Sequence, residues 1–154
     1  MQVEGIAGPS PERPSPRLPV LALEVYERHG GHTLRFHVGT SPAEDLRRIN
    51  EGKAGSGSFL DRDTAQHCVE MVIAHHAGEV RAWLRGRERF TPHTISDDMH
   101  QVIGHSLTWG EVKQGVVTPQ PVTGVFLVLR RCPELPGGYT VRTAYPTRAR
   151  RRSR

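Results

Sequence analysis

A histidine near the start of this chain, two arginines after it and two hydroxyls near its end are the residues whose types and spacing suit chemistry. His37 lies in GGHTLRFHVGTS, residues 30–41, a short glycine-bracketed segment directly ahead of a helix start. An unperturbed imidazole titrates at about 6.5, so it can accept or give a proton near neutrality. His32 lies in the same segment and competes for that role; its alternative is a structural hydrogen bond at the turn after Gly31. Arg47 and Arg48 follow on the helix. At about 100° per residue neither lines up with Leu46 and Ile49, so both flank the buried face and spacing leaves the choice open. A guanidinium fork there matches phosphate oxygens and stabilises charge on a pentavalent phosphorus. At the far end, Gly137-Gly138 opens a strand on which Tyr139, Val141, Thr143 and Tyr145 alternate onto one face, so Thr143 and Tyr145 present two hydroxyls to one anion. The set fits work on a phosphodiester. Taken singly, each member also fits a plain role: one of nine histidines on a surface, a solvated arginine, a Thr-Tyr face packed on a helix.

The elements that must position these residues can be read in part. Leu21, Leu23, Val25 and Tyr26 suit a short helix stopped by Gly30-Gly31, and 32–38 is then a turn or a single helical turn. Ser41-Pro42-Ala43-Glu44 is a capping signature, with a serine acceptor, proline at the first helical position and a glutamate three residues on. The helix it opens runs to about Glu51, with Leu46 and Ile49 inward, and 52–57 reads as a loop by composition. Ala65, Val69, Val72, His76, Val80 and Trp83 recur at helical spacing, which predicts one long amphipathic helix over 64–84, capped by Asp61 or Asp63. Beyond Gly86, runs rich in β-branched and aromatic residues predict strands at about 88–95, 100–109, 122–131 and 138–145, with Val122 to Leu129 apolar on both faces and therefore central. Helices first and strands afterwards is an α+β arrangement.

The bulk numbers narrow the function classes. A chain of 154 residues suits one domain, expected as a monomer, and can build a core without staples. Residues 1–19, with five prolines, predict a disordered leader; 20–146 the folded domain; 147–154 a basic tail. The formal charge of +5 rests on that tail, where Arg148, Arg150, Arg151, Arg152 and Arg154 stand without an acid, so charge by itself argues weakly for nucleic acid. Cys68 and Cys132 are too few and too far apart for a disulfide framework or a zinc cluster, and read as small buried residues. No stretch approaches the roughly 20 apolar residues of a membrane span, and no basic-then-apolar signal peptide opens the chain. His75-His76 cannot share one helical face, and His32/His37 and His100/His105 lack the spacing of a helical zinc pair, so no metal site and no cofactor is expected. Walker and GxSxG motifs are absent from the sequence.

In order, GGHTLRFHVGTS, SFLDRDTA, VRAWL, VFLVLRR and GGYTVRTAYP resemble the bacterial toxin domain with a ribonuclease A-like fold that ends contact-dependent inhibition proteins and other polymorphic toxins. The likeness spans about 28–146, and its most specific part is the pairing of GGHTL-x-x-HVG with GGY-x-x-x-TAYP. It implies N-terminal helices packed on a C-terminal antiparallel sheet, and an active site of His37, Arg48, Thr143 and Tyr145, with His32 and Arg47 left to substrate binding. It further implies a ribonuclease toxin that acts without metal through the RNA 2′-hydroxyl, restrained by a cognate immunity protein. Delivery to a target-cell cytoplasm, as part of a larger toxin or by a specialised secretion system, follows from the same likeness. Two departures from the vertebrate ribonucleases of this fold stand out. Their several disulfides are replaced by at most one, and their second catalytic histidine has no counterpart at TAY, which leaves the proton donor to the leaving oxygen open. A non-catalytic RNA- or protein-binding module on the same fold is the rival reading.

Overall fold

A computed structural model of the chain describes residues 17–87 and 91–149. The helices are α1 (Leu23–Glu27), α2 (Thr33–His37), α3 (Pro42–Asn50), α4 (Arg62–His75), α5 (Ala77–Arg85) and α6 (Trp109–Lys113). The strands are β1 (Gly55–Phe59), β2 (His93–Asp98), β3 (Gly104–Thr108), β4 (Gln120–Val122), β5 (Gly124–Arg131) and β6 (Tyr139–Thr147). They form two antiparallel three-stranded sheets, β1-β3-β4 and β2-β5-β6. The fold is α+β, as the sequence predicts, and β5 is the central strand of its sheet.

One core holds the layers together. Leu23 and Tyr26 of α1, Val69, Val72 and Ile73 of α4, and Leu127, Leu129, Tyr139 and Val141 of the second sheet are all at most 1% exposed. Each such side chain contributes roughly 1.5–3 kcal/mol of transfer free energy, which is how the domain manages without cross-links. Both thiols are buried and free, and burial pushes Cys68 up to about 11. Of the expected leader, Leu18 packs against this core and the Pro19 carbonyl accepts from the Tyr139 hydroxyl at 2.8 Å, so 17–19 are part of the fold; 1–16 lie outside the described residues.

Four expectations need correction. Residues 52–57 are not all loop, because Gly55 begins β1. A Cβ on Gly57 would stand 2.5 Å from the His105 carbonyl, so the glycine that suggested a loop is there to let two strand backbones close up. The helix over 64–84 is two helices. His76 leaves helical geometry at φ −115°, ψ 21°, and its ring is held by Glu79 Oε1 at 2.7 Å and Asp97 Oδ2 at 3.2 Å. The apolar repeat runs through this break because both helices lean on one core. The strand read at 88–95 is His93–Asp98, with 88–90 outside the described residues, while α6 and β4 were not anticipated. On α3 the inward pair is Asp45 and Ile49, with Leu46 half-buried.

The closing strand differs in a way that matters for the site. Leu129 pairs with Val141 but Val128 with Thr143, so Arg142 is an extra residue in β6, a β-bulge. Cross-strand partners share a face, so Tyr139 and Val141 point into the core with Leu129, whereas Thr143 and Tyr145 point to the opposite face with Val128 and Phe126. Contrary to simple alternation, the four side chains do not share a face. Thr143 and Tyr145 still point the same way.

Candidate active site

His37 is the last residue of α2, and α2 is stitched to β6 at the bulge. The His32 N–H donates to the Arg142 carbonyl at 2.9 Å, and the Ala144 N–H donates to Thr33 Oγ1 at 2.9 Å. Gly31 permits this approach, since a Cβ there would meet the Val141 carbonyl at 2.6 Å. After His37, Val38 bridges to Phe59, and Gly39 turns the chain at φ 79° toward α3. The histidine is thereby fixed between β6 and β1.

Its ring lies 5.3 Å from that of Tyr145, which in turn stacks on Phe126 at 5.2 Å. His37 Nδ1 is 3.2 Å from the Gly57 carbonyl. A carbonyl only accepts, so Nδ1 carries the hydrogen and Nε2 keeps the lone pair, the form a general base needs. Burial pulls the imidazole down to about 4, the Gly57 hydrogen bond opposes this, His32 and Arg48 add to it, and Asp45 opposes it. At neutral pH the ring is uncharged. Burial pushes Tyr145 above its ordinary range, so its hydroxyl keeps its proton.

The two arginines separate clearly. Arg47 is 60% exposed and bonds Glu51. Arg48 is 17% exposed; its guanidinium donates to the Phe36 carbonyl at 2.7 Å and to Glu44 at 3.3 Å, and sits over the Phe36 ring. It is the arginine on the His37 side of the helix. His32 lies 6.3 Å from His37, its Nδ1 buried without a partner among the described residues, and burial, then Arg142, lowers its pKa. Thr143 Oγ1 is likewise buried and unpartnered, and Thr143 lines no described cavity. The structure therefore brings His37 and Tyr145 together, keeps Arg48 and His32 beside them, covers Thr143 and sends Arg47 away.

Two cavities flank Tyr145. One of about 420 Å³ is lined by His37, Lys53, Ser56, Gly57, Tyr145 and Thr147. The other, about 760 Å³, is lined by Asp97, Asp98, His76, Phe126, Tyr145 and Arg148 among others. Its two carboxylates suit a phosphate poorly, so the smaller cavity is the better seat for phosphodiester chemistry. His75 and His76, adjacent in sequence, both approach Asp97 Oδ2 (3.4 and 3.2 Å) because the helix breaks between them and α5. Among the described residues, donor atoms close enough to share a cation are those of His29, Cys132 and Glu134, within 4.8 Å of one another, on the turn after α1 and the hairpin before β6. No described helix is long and apolar enough to cross a membrane.

Spacing did not reveal Asp45, Ser56 and His105. Asp45 is fully buried on α3, accepts from Ser56 Oγ at 2.6 Å and faces His105 Nε2 at 3.0 Å. An acid four residues before Ile49 on the inward phase of a helix was the available signal.

Comparison with known proteins agrees with the ordered motifs. No curated protein matches the chain. Among solved structures, it is similar to one described as the crystal structure of the CdiA-CT/CdiI complex from Y. kristensenii 33638, at 29% identity over 72% of this chain and 94% of that one, with a TM-score of 0.64. Residues 31–146 match the family model for the bacterial CdiA-CT RNAse A domain, and a match over that much of the sequence, carrying His37 and the TAY segment within it, means that the chain belongs to the bacterial CdiA-CT RNAse A family of toxin domains.

Proposed function

We propose that the domain is a metal-independent endoribonuclease that uses the RNA 2′-hydroxyl as nucleophile. The observation that carries this reading is the single free nitrogen of His37, Nε2, held by the Gly57 tether beside Tyr145 in a cavity open to substrate. In the proposed step Nε2 takes the 2′-hydroxyl proton, O2′ bonds to phosphorus, and the P–O5′ bond breaks to leave a 2′,3′-cyclic phosphate. Tyr145, kept protonated by burial, gives its proton to O5′, and solvent exchange restores both groups. Arg48 stabilises the phosphorane charge through N–H donors not used on Phe36 and Glu44. The nearby phosphodiester anion raises the His37 pKa toward neutrality, which strengthens the base when substrate is bound. Thr143 is covered by protein, so a contact with phosphate requires the side chains over it to swing away. His32, whose ring lies 6.3 Å from that of His37, is assigned to phosphate binding.

A partner follows from the same family. The similar solved chain is complexed with CdiI, and the inference for this chain is a cognate immunity protein that covers the cleft, with delivery by a contact-dependent inhibition system. The test is end analysis of labelled oligonucleotides incubated in EDTA. Cyclic phosphate ends, with no cleavage of DNA or of RNA methylated at the 2′-oxygen beside the cut, are expected. Ends of 5′-phosphate and 3′-hydroxyl refute the mechanism, and intact RNA under conditions where it binds favours a binding module.

A further inference from the structure

Asp45 sits where three site-bearing elements meet. Its side chain has no exposed surface, and an isolated carboxylate would not be left there uncompensated. Ser56 Oγ donates to Oδ1 at 2.6 Å and His105 Nε2 lies 3.0 Å from Oδ2; since a carboxylate only accepts, that nitrogen carries its proton. Ser56 immediately precedes Gly57, whose carbonyl holds His37 Nδ1. Arg48 lies three residues after Asp45 on α3, on a neighbouring position of the same helix surface. His105 belongs to β3, paired with β1 through Ser58. The base tether, the phosphate cation and the sheet beneath them are each within one residue or one turn of a tie to the same carboxylate.

Neutral amides could fasten these elements as well. What an ionised group adds is negative potential in a buried setting, where it is weakly screened. The charged and titratable groups around His37 are His32 from the start of α2, Arg48 and Asp45 from α3, Tyr145 from β6, and Lys53 on the cavity rim. Arg48 and His32 both disfavour an imidazolium at His37, and Asp45 is the anion that opposes them.

We propose that Asp45, with Ser56 and His105, is a positioning residue of the reaction: it sets the spacing of Arg48 and His37 and supplies negative potential toward the His37 ring. This rests on the ribonuclease reading above, and the test separates the two. In Asp45→Asn, which keeps shape and one acceptor, kcat falls by about tenfold or more with KM little changed. The His37 titration, followed by NMR of its imidazole Cε1–H without RNA, moves to lower pH. Ser56→Ala keeps the charge and removes one tie, so it lowers kcat while the His37 titration stays in place. An Asp45→Asn enzyme that titrates like the wild type overturns the electrostatic role, whatever its rate. Should Asp45→Asn not fold, Ser56→Ala carries the test of positioning, and an unchanged kcat overturns it. Wild-type protein that cleaves no RNA while Asp45→Asn still shifts the titration leaves the Asp45–His37 coupling standing and removes the ribonuclease assignment instead.

Discussion

The depressed His37 makes a stability prediction that does not depend on substrate. In the unfolded chain this imidazole titrates near its ordinary 6.5; in the fold it titrates at about 4, chiefly because burial disfavours the charged ring. Between those values the unfolded chain binds more protons, so stability is full above about 6.5, falls as pH drops, and levels off below about 4. The difference of about 2.5 units, at about 1.4 kcal/mol each, corresponds to roughly 3 kcal/mol of native stability lost across that window. Carboxylates also titrate there, so the measurement must be differential. His37→Gln keeps an N–H for the Gly57 carbonyl and removes the titration. Urea unfolding of both proteins from pH 7.5 to 4 should show the variant gaining on the wild type as pH falls; with a slope of about 1–3 kcal/mol/M, the relative midpoint moves by about 1–3 M. Whatever constant offset the substitution introduces is irrelevant, since the signal is the change with pH. Parallel midpoints across the whole range would show that His37 is not held in a desolvated site, and the assignment of a neutral Nε2 base at neutral pH would lose its physical support.

His37→Ala is expected to abolish RNA cleavage and toxicity with the protein still folded, checked by circular dichroism beside the activity gel, and His32→Ala should weaken binding more than turnover. Arg48→Lys should lower kcat by about 10²-fold, because a point charge does not reproduce a fork aimed at two oxygens. Arg47→Ala should leave both activity and stability within about 0.5 kcal/mol of wild type, as an exposed i,i+4 pair is worth little; a larger loss of activity from Arg47 would place the phosphate on the other flank of α3. The basic tail should add affinity without chemistry. Because Thr147 closes β6 and Arg148 pairs with Glu111 at 2.8 Å, the clean truncation begins after Ala149. Binding measured against salt should lose slope, and turnover at saturating RNA should hold.

Where local chemistry decides local structure, the sequence was legible. Ser41 accepts from the Glu44 N–H at 3.1 Å as its capping signature demands, Asp61 caps α4 through the Thr64 N–H at 2.7 Å, and the apolar run from Val125 to Leu129 lies in the central strand of its sheet, although Val122 ends the separate strand β4. The misreadings came from residues whose state is set by distant partners. Gly57 looked like loop and proved to be strand because the backbone of β3 lies against it. His76 looked like one more turn of a helix and proved to be a break because Glu79 and Asp97 hold its ring. A lone acid on an amphipathic helix reads as solvated, and Asp45 is buried instead because it has partners 11 and 60 residues away.

The β-bulge at Arg142 shows why strict alternation misplaces the facing of the closing strand. Alternation predicts that Tyr139, Val141, Thr143 and Tyr145 share one face, and that rule, applied strictly, would have buried Thr143 and Tyr145 in the core with Tyr139. One extra residue divides β6 into a stretch that serves the core and a stretch that serves the cavity. The same residue exposes a carbonyl for the His32 N–H, so the feature that turns Tyr145 outward also anchors the helix that carries His37. Deleting Arg142 should therefore do more than shorten a strand. It would restore simple alternation, reverse the facing of either Thr143 and Tyr145 or Tyr139 and Val141, and remove the tie that brings His37 to Tyr145. Substituting Arg142 by Ala keeps the backbone carbonyl and the bulge, and should retain both fold and cleavage. A deletion variant that cleaves RNA as the alanine variant does would mean that the bulge has no part in assembling the site.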